Sequence, residues 1–97
     1  MFCIFNNVRY SNPKLMHVGH QYMAQTFDPK QFDGLLELQT FHISPDKGLG
    51  IFTFDSQENM AKNLPNLKAF NKDYEDRFSC KITVDTGIVN SELSYKA

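Results

Sequence analysis

The feature that most constrains this chain is the order in which its periodicities alternate. Ser44-Pro45-Asp46-Lys47-Gly48 is turn chemistry, with proline presetting φ and glycine supplying a positive φ. On either side lie apolar segments, 35–43 and 49–54, so the turn predicts a hairpin. In the first of these strands Leu36 and Leu38 share one face, with Phe41 and Ile43 on the other. Asp33-Gly34 marks the turn that leads into it. Helical spacing flanks the hairpin on both sides. Upstream, Asn12 is an N-cap and Pro13 suits the first helical position. Met16, Met23 and Phe27 then form a stripe, joined by Leu15, Val18 and Tyr22, which ends before Asp28-Pro29. Downstream, Ser56 caps a short helix through Met60. Pro65 predicts a break near Asn63 and a restart carrying Leu67, Phe70 and Tyr74. The aromatic and β-branched segment 2–8 predicts a first strand, and 78–84 a fourth that extends through 86–89 after a kink or bulge at Gly87. The order β-α-β-β-α-β predicts an α+β, ferredoxin-like plait with a four-stranded antiparallel sheet.

At 97 residues the chain is expected to form a single domain over 1–97, with 1–89 as the core and the polar 90–97 as a C-terminal tail. Lys and Arg number 10 against 11 Asp and Glu, a net charge of −1, which argues against nucleic acid as a main partner. Lys62, Lys68, Lys72 and Lys81 are interspersed with acidic residues and read as a solvated surface. No apolar run reaches the roughly 18–20 residues of a membrane span, and 1–5 is too short for a signal-peptide core. A cytoplasmic protein with no membrane partner is expected. Cys3 and Cys80 make neither a disulfide framework nor a four-ligand zinc site; on neighbouring strands they are expected to be small, reduced core residues. Two helices cover only one face of a four-stranded sheet, yet the first three strands carry apolar residues on both faces. A soluble monomer exposes apolar patches of only a few hundred Å². A homodimer packed sheet on sheet about a two-fold axis is therefore expected.

Phe32-Asp33-Gly34-Leu35, the run Gly50-Ile51-Phe52-Thr53-Phe54-Asp55-Ser56, residues 64–70 and the closing Thr86-Gly87-Ile88-Val89 together resemble the dimeric α+β barrel superfamily, and within it the antibiotic-biosynthesis-monooxygenase-like (ABM) domains. The resemblance covers about residues 32–89; the first helix fits by pattern alone. It implies a dimeric α+β barrel. It also implies a monooxygenase that needs no metal or prosthetic group, acting on an electron-rich aromatic or polyketide-like compound that reacts with O2 once deprotonated. Relatives that degrade haem pair an Asn in the first strand with a Trp and a His on the second helix. This chain has no Trp, and 65–76 has no His, which argues against haem oxygenation.

His42 lies near the end of the second strand with the parity of Leu36 and Leu38, where an imidazole at the mouth of an apolar cavity would serve as general base. Asn6 and Asn7 interrupt an apolar strand, and a polar amide there either holds a ligand or satisfies a neighbouring backbone group. His17 and His20 stand at i, i+3 on the first helix, with Tyr22 nearby; no carboxylate or cysteine sits at ligand spacing beside them, so no metal is expected. Asp85-Thr86-Gly87 spells the aspartic-protease triplet, but only ten residues follow it and helices fill the middle of the chain, so it reads as a strand bend. Nine Phe and four Tyr are expected to fill the core and a subunit interface, or to line a cavity for a flat ligand. The candidate catalytic residue is His42, and the candidate ligand-binding residues are Asn6, His20 and Tyr22. The alternative is a non-catalytic dimeric module that binds a small apolar ligand or serves assembly.

Overall fold

The structure is a computed structural model that describes Met1–Ala97. Its elements run β1 (Phe2–Tyr10), α1 (Pro13–Thr26), a single 3-10 turn (Pro29–Gln31), β2 (Leu35–Ser44), β3 (Lys47–Phe54), α2 (Gln57–Phe78) and β4 (Cys80–Ile88). The strands form one antiparallel sheet in the order β2-β3-β1-β4, which is the ferredoxin-like plait. The helix starts are those the sequence predicts. Asn12 Oδ1 accepts from the Leu15 amide at 2.9 Å, and Ser56 Oγ accepts from the Asn59 amide at 3.1 Å.

Four local expectations are corrected. The helix of the second half does not break at Pro65: α2 is continuous over 22 residues. Its buried positions Met60, Asn63, Leu67, Asn71, Tyr74 and Phe78 follow one unbroken stripe, and the burial of that stripe outweighs the lost hydrogen bond. Pro65 and Ala61, whose carbonyl loses its helical donor, both face solvent, where water replaces the missing N–H. Phe78 is the last residue of α2 and not the start of a strand; Ser79 follows as a left-handed cap at φ 49°. Gly87 forms no bulge. It pairs in register with Cys3, and a Cβ there would lie 2.9 Å from the Phe5 ring, so it makes room for an aromatic side chain on the outer face. Finally, Leu36 and Leu38 do not share a face. A bulge between Leu35 and Glu37 expels Leu36, so that Leu35 and Leu38 both pack on the core.

Register also separates the cysteines. Cys3 lies opposite Gly87 and Cys80 opposite Tyr10, at the two ends of β1 and on opposite faces of the sheet. Both are buried and free.

The inner face of the sheet carries two apolar clusters. One gathers Ile4, Phe32, Phe52, Phe54, Met60 and Leu67; the other gathers Tyr10, Met16, Tyr74, Phe78 and Cys80. Gly19 lets α1 approach α2, since a Cβ there would collide with the Tyr74 hydroxyl. The outer face is uncovered: Phe5, Leu49 and Ile51 are half-buried and Phe41 is exposed. No helix is long and apolar enough to cross a membrane.

Candidate functional site

Where the two clusters meet, the inner face of the sheet does not fill. Gly48 and Gly50 occupy inward positions of β3, opposite His42 and Thr40 of β2. Two missing side chains on a face that otherwise carries Phe52 and Phe54 leave a cavity of about 470 Å³ between sheet and helices. Phe27, Leu38, Phe52 and Phe70 supply apolar wall, and α1 adds His20, Met23 and Ala24. A concave, largely apolar space of this size with a few polar groups is the candidate ligand site. No Asp, Glu, Lys or Arg lines it.

Besides Thr40, its polar side chains fall into three pairs. At the mouth, the rings of His20 and His42 meet edge to face with centroids 5.0 Å apart. His20 sits over Gly48, where an added Cβ would be 3.5 Å from His20 Nε2. The Tyr10 ring also meets the His20 ring edge to face, with centroids 6.0 Å apart. Partial burial lowers the His20 pKa from 6.5, and His42 and His17 act in the same direction. In the wall between β1 and α2, Asn6 and Asn71 exchange amide hydrogen bonds. Asn6 Nδ2 donates to Asn71 Oδ1 at 3.0 Å, and Asn71 Nδ2 donates to Asn6 Oδ1 at 3.2 Å. The hydroxyls of Tyr10 and Tyr74 are 2.5 Å apart, and burial raises the pKa of both, so both phenols keep their protons at neutral pH.

The structure thus brings His42, His20 and Asn6 to one cavity. Tyr22 lies outside it. Its ring packs on Phe78 at 5.3 Å and lies under the Arg77 guanidinium at 5.3 Å, because it projects from α1 toward the C-terminal end of α2. Asn7 points to the opposite face and is exposed, as is His17. No group of three His, Cys, Asp or Glu side chains is placed to share a metal ion. Asn71, Tyr74 and Tyr10 also line the cavity, and sequence reasoning missed them. The signals were present: Asn71 falls four residues after Leu67 on the buried stripe of a helix, and Tyr10 has the strand parity of Asn6.

No family model matches this sequence, and no curated protein matches it. Solved structures do. A candidate antibiotic biosynthesis monooxygenase from Deinococcus radiodurans is similar over 100% of both chains, at TM-score 0.70 and 15% identity. A dimeric ferredoxin-like protein from an uncultured marine organism is similar over 98% of this chain and 100% of that one, at TM-score 0.74 and 15% identity. A monooxygenase from the gene ActVA-Orf6 of Streptomyces coelicolor, solved with nanaomycin D, is similar over 93% of this chain and 92% of its own, at TM-score 0.65 and 12% identity.

Proposed function

We propose a function of the ABM type from the ferredoxin-like plait that this chain shares with structural neighbours including a dimer and monooxygenases. We propose that the cavity binds a small aromatic or polyketide-like compound and that the protein is a monooxygenase of that type, working as a cytoplasmic homodimer. The observation that carries the reading is the cavity of about 470 Å³, walled by aromatic rings, with an imidazole pair at its mouth. One structural neighbour holds nanaomycin D, which supports a ligand of this kind. The apolar outer face of the sheet and the dimeric neighbour support the homodimer.

In this reading His42 is the general base and His20 and Asn6 hold the ligand. His42 takes a proton from an activated CH2 or hydroxyl of the substrate, and the carbanion or enolate reacts with O2. For a CH2 substrate the balance is CH2 + O2 → C=O + H2O. The carbon is oxidised, one oxygen atom stays in the product and the other leaves as water with both hydrogens. The substrate supplies every electron, so no metal or prosthetic group is assigned. Removing a positioned general base costs on the order of 100-fold or more. With anthrone as substrate, oxygen-electrode traces for His42→Ala are expected to show kcat reduced by about that factor. Unchanged turnover would remove His42 from the chemistry.

The second reading, a non-catalytic module that binds an apolar ligand, is favoured by one observation: no carboxylate lines the cavity to orient either imidazole. Tight binding of anthrone with no oxygen consumption at any pH would select it.

A further inference from the structure

The cavity holds no fixed charge, and this limits what can bind in it. The ionisable side chains that line it are Tyr10, His20, His42 and Tyr74. His20 on α1 faces Tyr10 from β1, His42 from β2 and Gly48 from β3; Tyr74 of α2 lines the same cavity, and His17 stands on its own helix. From β4 the lining residue is Ile82, which does not titrate. At the hairpin tip beside His42, the Asp46 carboxylate accepts from the Ser44 hydroxyl at 2.9 Å. Near neutral pH only the two imidazoles can create a positive charge here. Their rings lie 5.0 Å apart, so a positive charge on one imidazole repels a positive charge on the other.

We infer that His20 and His42 act as one proton site, and that the cavity takes its aromatic ligand as the anion of an acidic hydroxyl, an enolate or phenolate, paired with the single proton that the two imidazoles share. This rests on the aromatic-ligand reading above and specifies the charge state of the ligand. An ionised ligand enters with uptake of one proton from solvent: L⁻ + H⁺ + protein → protein·H⁺·L⁻. A ligand that is neutral in solution transfers its own hydroxyl proton to the pair, and none is taken up. The two opposite charges offset each other's loss of hydration between the apolar walls, which a lone anion there would not recover. The Tyr10–Tyr74 and Asn6–Asn71 pairs remain neutral donors and acceptors along the rest of the ligand.

The test is calorimetric titration at pH 8 with two probes of similar shape. One is 2-hydroxy-1,4-naphthoquinone, which is ionised at this pH; the other is 1,4-naphthoquinone, which has no acidic proton. Enthalpies measured in phosphate and in Tris give the protons taken up. The expected result is uptake close to one proton for the hydroxyquinone and none for the neutral quinone. Above neutral pH, affinity for the hydroxyquinone is expected to fall about tenfold per pH unit. In the double variant His20→Gln, His42→Gln, uptake should vanish and hydroxyquinone affinity at pH 7 should fall at least about tenfold, while neutral-quinone affinity is retained. That retention shows that the cavity is still formed. Uptake of two protons, uptake of none, or equal hydroxyquinone affinity in the double variant would overturn the inference and leave the cavity reading standing. If neither quinone binds, both fall.

Discussion

Asn6 and Asn71 are 6% and 5% exposed, and each satisfies the other, so deleting one amide leaves its partner buried without that bond. An orphaned buried polar group costs about 1–3 kcal/mol. Asn71→Ala is expected to lower the free energy of unfolding by about 2 kcal/mol in urea titrations, and the double variant Asn6→Leu, Asn71→Leu should cost less than twice that. His20 gives a second prediction. Its folded-state pKa is lowered, so the unfolded chain binds the proton more tightly and acid favours unfolding. The stability that neutral His20 contributes is therefore present above its unfolded pKa of 6.5 and lost as pH falls below it through the lower folded value. Urea midpoints from pH 7.5 to 5 are expected to fall more steeply in the wild type than in His20→Gln. Sequence reading singled out Asn6 because it interrupts an apolar strand, His42 for its place and parity on the second strand, and His20 for its i, i+3 spacing to His17; all three line one cavity. It placed Tyr22 at the site from proximity to His20 along α1, but two residues on a helix separate side chains by about 200°, and Tyr22 went to Phe78 and Arg77 instead.

At the scale of elements, α2 shows where local rules yield to tertiary burial. A proline in a helix interior costs about 3 kcal/mol relative to alanine. The continuous stripe from Met60 to Phe78 absorbs that cost, and a break at Pro65 would have taken Asn63 away from the Asp33 carbonyl it reaches at 2.9 Å. Pro65→Ala should stabilise the protein by about 2 kcal/mol, less than the full helical penalty because alanine frees the unfolded chain. Ser79→Gly should add about 1 kcal/mol by relieving the left-handed cap at φ 49°. Thermal melts check both. The four strands and both helix starts were legible from turn and cap chemistry. The Leu36 bulge was not, because a bulge shifts parity without leaving a proline or glycine to mark it. Gly87 carries such a mark, but its role is a close approach to Phe5 and not a kink.

For the whole molecule, the plait followed from element order, whereas the cavity did not, since it depends on which residues of one strand face inward beside which residues of two helices. Gly48 and Gly50 fall on that inner face only once β3 is paired with β1 and β2 in register. Gly50→Leu is then expected to fill the space, leave the fold intact by circular dichroism, and weaken naphthoquinone binding at least about tenfold, the scale of a displaced apolar contact. The same architecture leaves Phe5, Leu49, Ile51 and Phe41 on the outer face, and sedimentation equilibrium is expected to give twice the 11.2 kDa chain mass. Phe41→Glu should shift that mass toward the monomer. The measurement that tests the central claim most directly is a crystal structure of the protein soaked with 2-hydroxy-1,4-naphthoquinone. The account predicts ring density inside the cavity, its oxygen edge against His20 and His42 and its flat faces between Phe52 and Phe70. A cavity closed by inward movement of those rings, with both imidazoles turned to solvent and quinone only on the surface, would contradict it.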